Sequence, residues 1–316
     1  MSSAESLPTL DVSDARSGSP EAMQRLAAAL GAAARDIGFF RVSGHGLGRG
    51  LIDGVFSEAI RFFARPRQEK LALSIARSAH NRGYVSLGAE ALDPKAGADL
   101  KEAFNIGLDL APDDPEVIAG APFRGVNLWP DDDAFRSTML AYFQASWDLG
   151  RFLHRAVAID LDLPESHFED KLDRPMATLR LLRYPPAAEA GGRVGAGEHT
   201  DYGNLTLLLT DDAGGLEVRR RDGTWIAVPH DPNVFVVNIG DCLMRWTNDT
   251  YVSTPHRVRH DAPRQRLSVA FFLDPNPDAL VDCLPGCVAD GETPRYPAIR
   301  AADYLAARLK ATYGAG

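Results

Sequence analysis

Cysteine is scarce in this chain, three residues in 316. Cys283 and Cys287 are spaced like half a metal site, but no second pair accompanies them, and Pro285-Gly286 between them reads as a turn. An odd number of thiols without a framework points to a reducing compartment. Positive charge is also short: 34 Lys and Arg face 43 Asp and Glu, a net charge of −9. Such a balance argues against nucleic-acid and anionic-membrane partners. No apolar run is long enough to span a bilayer, and the start, Met1-Ser2-Ser3-Ala4-Glu5-Ser6, has neither the basic nor the apolar stretch of a signal peptide. The expectation is a cytoplasmic protein, a monomer or small homo-oligomer, with a small-molecule substrate. There is no internal repeat, and low complexity is confined to an Ala/Gly-rich loop at 187–197.

What is present is enough apolar material, 45% of residues, for a large core in one elaborated domain or two tightly joined ones. The informative stretch is Gly197-Glu198-His199-Thr200-Asp201-Tyr202-Gly203, which runs into the apolar Leu205-Thr206-Leu207-Leu208-Leu209. Residues i and i+2 of an extended strand share a face, so His199 and Asp201 aim an imidazole and a carboxylate at one point. A second histidine, His256, follows in Ser253-Thr254-Pro255-His256-Arg257-Val258. Two imidazoles and one carboxylate with open positions suit a non-haem Fe(II) that must also bind a cosubstrate and O2. Beyond it comes Arg266-Leu267-Ser268, again an i, i+2 pair. Arg presents a planar fork to a carboxylate, and a Ser hydroxyl beside it donates to the same group. A lone His-x-Asp is most often structural; the later His and the Arg-x-Ser change the balance.

Together these motifs resemble the 2-oxoglutarate/Fe(II)-dependent dioxygenase superfamily, in its isopenicillin N synthase-like branch. Tyr184-Pro185-Pro186, Ile37-Gly38-Phe39-Phe40 and Gly44-His45-Gly46 add to the likeness. The resemblance implies an α+β fold: a double-stranded β-helix (jelly-roll) barrel core with an N-terminal helical module and packing helices. It implies Fe(II) held by His199, Asp201 and His256, with 2-oxoglutarate and O2 as cosubstrates. The far carboxylate of 2-oxoglutarate would meet Arg266 and Ser268, with Tyr184 adding a hydroxyl donor. Leu182 stands where many plant members have Asn, which leaves the cosubstrate one donor short. The reaction implied is hydroxylation or desaturation of a small polar metabolite, forming succinate and CO2. Two other readings stay open: the same iron with a different outcome, as in ethylene-forming or oxoglutarate-independent enzymes, and a non-catalytic jelly-roll binding protein.

Along the chain, Ser19, Pro20 and Glu21 read as a helix start, and Met23, Leu26, Ala27, Leu30 and Ala34 keep helical spacing up to Gly38. A second helix is expected over about 48–64 and a long amphipathic one from about Asp132 to Asp160. His45, His154 and His167 read as structural. Residues 74–130 look irregular, a segment of the kind that covers a site. After Pro175, short β-rich runs at 178–184, 205–210, 216–219, 225–228, 234–239, 243–247, 252–259 and 267–273 alternate with turn signals, among them Asp222-Gly223 and Asp261-Ala262-Pro263. The runs at 252–259 and 267–273 are expected to pair as a hairpin. A closing helix is expected from Arg300 to Tyr313. The organisation reads as residues 1–130, an N-terminal module with a pocket-covering segment, and 131–316, the long helix with the barrel, packed as one unit. The substrate pocket is expected to draw on Tyr84, Phe104, Tyr202 and Phe272. Tyr202 contributes only if its strand ends there, since alternation otherwise turns it away from the metal.

Overall fold

A computed structural model describes residues 6–91, 99–186, 188, 195–260, 263–289 and 291–313. The loop at 187–197 lies largely outside these, as does Asp261-Ala262. The fold mixes helix and sheet. Its helices are α1 (Ser13–Arg16), α2 (Pro20–Asp36), α3 (Arg49–Phe63), α4 (Arg67–Ala72), α5 (Pro115–Ile118), α6 (Asp133–Asp160), α7 (Asp241–Trp246) and α8 (Ala301–Tyr313). Among the described residues none is long and apolar enough to cross a membrane.

Helix boundaries follow capping chemistry. Ser19 Oγ accepts from Ala22 N at 3.2 Å, with Pro20 at the first helical position of α2. Asp132 Oδ1 accepts from Phe135 N at 3.1 Å, and its other oxygen takes Arg61 and Arg65, each at 2.7 Å. That carboxylate fixes where α6 begins and ties α6 to the end of α3. Gly150 in α6 meets the sheet so closely that a Cβ there would stand 2.5 Å from Leu273 Cδ2. The glycine lets the long helix seat directly on the strands.

Two sheets carry the site. The larger combines β1 (Thr9–Asp11), β2 (Phe39–Ser43), β3 (Gly83–Val85), β4 (Glu102–Gly107), β5 (Thr178–Tyr184), β7 (Leu205–Thr210), β10 (Phe235–Ile239) and β12 (Arg266–Leu273) in the order β1-β2-β10-β7-β12-β5-β4-β3. The smaller combines β6 (Ala196–His199), β8 (Leu216–Arg219), β9 (Trp225–Ala227) and β11 (His256–Val258) in the order β6-β11-β8-β9. Both sheets line one cavity. The other face of the large sheet carries Leu179, Leu181, Leu205, Leu207, Val237, Val269 and Phe271, which join one core with α2, α3 and α6.

Three expectations are corrected. Residues 74–130 are not merely irregular: β3 and β4 extend the large sheet beyond β5. Both faces of β4 are buried, so the polar/apolar alternation that marks a half-exposed strand is absent. Its Glu102 is neutralised from three sides, by Lys70 at 2.7 Å, Tyr84 Oη at 2.6 Å and Arg183 at 2.8 Å. The run 243–247 is helical as far as Trp246, within α7, with Thr247 as its C-cap. Its first backbone N–H groups are spent on carbonyls of the 201–203 loop, Asp241 N on Asp201 O at 2.7 Å and Cys242 N on Gly203 O at 3.0 Å, so no strand ladder forms. The runs at 252–259 and 267–273 do not pair with each other. β11 lies between β6 and β8, while β12 lies between β5 and β7. With all but one of its residues buried, β12 needs a partner on either side and a layer over each face.

Candidate metal centre and pocket

β6 ends at His199, and β11 begins at His256, its direct cross-strand partner. The rings stand with centroids 4.3 Å apart. Asp201 follows in the loop after β6, and its Oδ1 lies 3.8 Å from His199 Nε2 and 3.7 Å from His256 Nε2. These separations exceed hydrogen-bond length and leave room for an ion. Among the described residues, His199, Asp201 and His256 form the one group of His, Cys, Asp or Glu side chains gathered closely enough to hold a metal.

The remaining atoms of each side chain are already engaged. His199 Nδ1 faces Gly197 O at 2.8 Å and His256 Nδ1 faces Thr254 O at 3.2 Å. A ring nitrogen against a carbonyl must carry the proton, so both Nε2 atoms keep their lone pairs for a metal. Asp201 Oδ2 accepts from Thr206 Oγ1 at 2.5 Å and from Asn238 Nδ2 at 2.9 Å, which frees Oδ1 for the ion. Burial, then the neighbouring His256, pushes the His199 imidazole down to about 4, so it is neutral at pH 7. Burial works to raise the Asp201 carboxyl, but the two imidazoles and its two hydrogen bonds outweigh it and hold it below the usual range. Two imidazoles, one carboxylate oxygen and no thiolate fit Fe(II).

Alternation along the large sheet decides what else faces the metal. Tyr184, Leu182, Arg180 and Thr178 of β5 pair with Arg266, Ser268, Ala270 and Phe272 of β12, and all eight line a cavity of about 180 Å³ together with the triad. Arg266 is 1% exposed. Its Nε donates to Gly214 O at 2.7 Å, its Nη1 to Ser268 Oγ at 3.2 Å, and its Cζ lies 4.8 Å from the centroid of the Tyr184 ring. No carboxylate pairs with Arg266 among the described residues. A buried guanidinium without an anion is costly, and the open cavity beside it is where an anion belongs. Tyr184 offers this cation its ring face.

Tyr202 and Phe272 also line the cavity, Tyr202 because β6 has ended before it. Tyr84 and Phe104 do not, and the pocket role expected for them is corrected. They pair with each other across β3 and β4 but lie on the opposite face, in the main core, with Phe104 4.4 Å and Tyr84 6.3 Å from the Phe62 ring. Their neighbour Asn105 points to the cavity instead. His45 and His154 are structural, as expected: His45 faces Asn233 O, and His154 faces Gly150 O and the Asn204 amide.

Several pocket residues escaped the sequence reading. Thr206 and Asn238 are single polar residues inside apolar strands, a signal that was there to find. Phe39 comes from the N-terminal β2 and sets its ring edge-on to His256 at 5.2 Å. Asp274 follows directly after β12, and burial, then the charge of Asp201, pushes its carboxyl up to about 7. The closing helix contributes Leu305 and Leu309. Its Arg308 bonds Asp241 at 2.7 Å and covers the Tyr202 ring at 4.6 Å. Gly240 lets α7 come this near: a Cβ there would stand 2.2 Å from Gly203 O.

Comparison with known proteins follows the same lines. Residues 7–132 match the family profile described as non-haem dioxygenase in morphine synthesis N-terminal, and residues 175–275 match that of the 2OG-Fe(II) oxygenase superfamily. The chain is 38% identical over 285 residues to the 2-oxoglutarate-Fe(II) type oxidoreductase hxnY of Emericella nidulans, covering 88% of this chain and 82% of that one. A full-length Neurospora crassa protein, solved in complex with alpha-KG and thymine, superposes with a TM-score of 0.85 at 32% identity, covering 98% of both chains. The dioxygenase for auxin oxidation of rice superposes with a TM-score of 0.77 at 28% identity, covering 96% of this chain and 95% of that one.

Proposed function

The chain belongs to the 2OG-Fe(II) oxygenase superfamily, and from that premise we propose that it hydroxylates or desaturates a small polar molecule at the cavity between its two sheets, converting 2-oxoglutarate to succinate and CO2. It is a 2-oxoglutarate-dependent Fe(II) oxidoreductase. The two facing sheets are read as the walls of the family's jelly roll, with β1 to β4 of residues 1–130 added at its edges. His199, Asp201 and His256 are the proposed iron ligands. Arg266 and Ser268 are the proposed seat of the cosubstrate's far carboxylate. One observation carries this reading: a buried arginine with no anion among the described residues shares one cavity with a His-Asp-His group whose free atoms converge.

Bound iron would supply the redox centre at which cosubstrate and O2 meet. The protein's part is positional. The Nδ1–H bonds of the two histidines fix ring orientation, and Thr206 and Asn238 fix the carboxylate. Arg266 and Ser268 anchor one end of the cosubstrate through charge-assisted hydrogen bonds. Leu182, Leu208 and Ala270 present apolar surface between anchor and metal and keep water out. Tyr202 and Phe272 flank the substrate. Solved relatives carry thymine or are described as acting on auxin, which supports a compact organic substrate here. The test is anaerobic calorimetry of 2-oxoglutarate with the Fe(II)-loaded protein, followed by succinate measurement in air across a metabolite panel. A protein that binds no 2-oxoglutarate would remove this reading.

A further inference from the structure

Two acceptor groups of the cavity wall have no hydrogen-bond donor among the described residues. Asn105 is 1% exposed and lines the cavity; its Nδ2 donates to Asn81 Oδ1 at 3.2 Å, while its Oδ1 is buried without a hydrogen bond. Asp274 is 6% exposed, lines the same cavity, and its carboxyl makes no side-chain hydrogen bond or ion pair with a described residue. A buried acceptor left without a donor is unfavourable, and two in one cavity are explained by a ligand that brings donors.

The charges nearby do not call for an anion. Arg180 and Lys101 also line the cavity, but Arg180 Nη2 sits 2.5 Å from Glu90 Oε2, and Lys101 Nζ sits 2.6 Å from Asp99 Oδ2 and 3.5 Å from Glu90 Oε2. Two cations are matched by two carboxylates. Arg266 is at the far end of β12 from Asp274, on the row shared with Tyr184. A substrate carboxylate at the Asp274 end would find no unmatched side-chain cation there among the described residues. The rings of Tyr202 and Phe272 border this part of the cavity, and Arg308 already covers one face of Tyr202, which favours a flat guest.

We propose that the substrate is a flat molecule recognised through N–H or O–H donors that meet the Asn105 amide oxygen and the Asp274 carboxyl group, and that this wall selects against a free carboxylate. The inference rests on the oxygenase reading above and names the substrate class for it. It makes Asn105 and Asp274 specificity residues, placed on β4 and just beyond β12.

A matched set of probes tests it: benzamide, which brings N–H donors; methyl benzoate, which brings acceptors alone; and benzoate. Their dissociation constants are measured by calorimetry on the full-length Fe(II) enzyme with 2-oxoglutarate, without oxygen. Benzamide should bind roughly tenfold or more tightly than methyl benzoate, and benzoate weakest, because a site built to bond a donor rejects the analogue lacking it. Whichever of Asn105→Leu and Asp274→Leu removes the acceptor that the single benzamide NH2 group meets should shrink the benzamide preference to within about threefold, an effect that loss of stability alone would not produce. Asn105→Asp, which keeps an acceptor in place, should retain the preference. Benzamide binding no better than methyl benzoate or not at all, benzoate binding best, or a preference unchanged in both Leu variants would overturn the proposal. Failure of 2-oxoglutarate itself to bind the wild-type enzyme marks instead the failure of the underlying oxygenase reading.

Discussion

The two faces of the eight-stranded sheet are built from adjacent residues of the same strands and have opposite tasks. The back face of β4 and β5 carries Phe104, Ile106, Leu179 and Leu181, all 0% exposed in one core with α3 and α6. One residue along, the front face carries Asn105, Arg180, Leu182 and Tyr184, which border a cavity. The back face is satisfied from within, by apolar contact and, at its edge, by the Glu102 cluster with Lys70, Tyr84 and Arg183. The front face keeps polar groups in wait, a guanidinium without an anion and an amide oxygen without a donor among the described residues. It looks across the cavity at two imidazole nitrogens of the smaller sheet and the Asp201 carboxylate oxygen, all aimed at one point. Stability is stored on one side of a single layer and chemistry on the other. Substitutions should therefore separate cleanly by parity.

The largest effect is expected from His256→Ala, on β11 across the cavity from the front face. Iron content and 2-oxoglutarate turnover should fall by more than the roughly 10–100-fold that losing even an outer partner of a metal ligand costs, with the metal-free melting temperature nearly unchanged; metal analysis and succinate assays read this. On the back, Phe104→Ala should cost about 3–5 kcal/mol in denaturant unfolding while 2-oxoglutarate affinity of the folded protein holds. A weakened affinity there at full stability would break the parity rule. Arg266→Ala should lose about 2–5 kcal/mol of cosubstrate binding. Arg257→Ala should cost under about 1 kcal/mol by the same calorimetry, because Arg257 is committed to Glu217 at 2.6 Å and to the Trp225 ring at 3.8 Å.

A smaller effect belongs to His154, which is in the core and which burial pushes down to about 4. Between pH 6.5 and about 4 the unfolded chain binds a proton there that the native chain refuses. Stability therefore falls as the pH falls through that window, by roughly 3 kcal/mol at its lower end, and is unaffected above it. Unfolding measured against pH should show a shallower slope for His154→Gln. The smallest effect sharpens the front face itself. Tyr184→Phe should change 2-oxoglutarate affinity by less than about threefold, since the ring that meets Arg266 remains, whereas Tyr184→Ala should remove about 1 kcal/mol of cation–π support.

Parity also explains what was legible in the sequence. His199 and Asp201, and likewise Arg266 and Ser268, announce themselves because two functional residues two apart fix their own common face. The structure does gather these groups, with His256, around one cavity. Tyr84 and Phe104 gave no such anchor. Without a second marked residue in β3 or β4 the register is free, and a slip of one residue exchanges front for back; Asn105 was the residue that faced the cavity. The long helices were readable because each has one buried face and a capping residue, Ser19 or Asp132. The helix α7 was not, because its shape is set by carbonyls of a distant loop rather than by its own Leu-Met-Arg-Trp.

The pairing of Val42 with Phe235 and of Phe39 with Asn238 carries a consequence for the life of the chain before it ever meets a substrate. At ribosomal speeds of about 5–20 residues per second, the roughly 200 residues between those partners take on the order of 10–40 s to emerge. Through that interval β1 and β2 have each other but not the strand that closes their open edge, an exposure that invites pairing with the wrong chain. Asn238, which steadies Asp201, and Phe39, which abuts His256, are brought together only when that gap is closed. Such distant pairing makes for slow folding. Iron capture thus waits until most of the chain is made, and a nascent chain is spared a half-built redox centre while its N-terminal strands wait with an open edge.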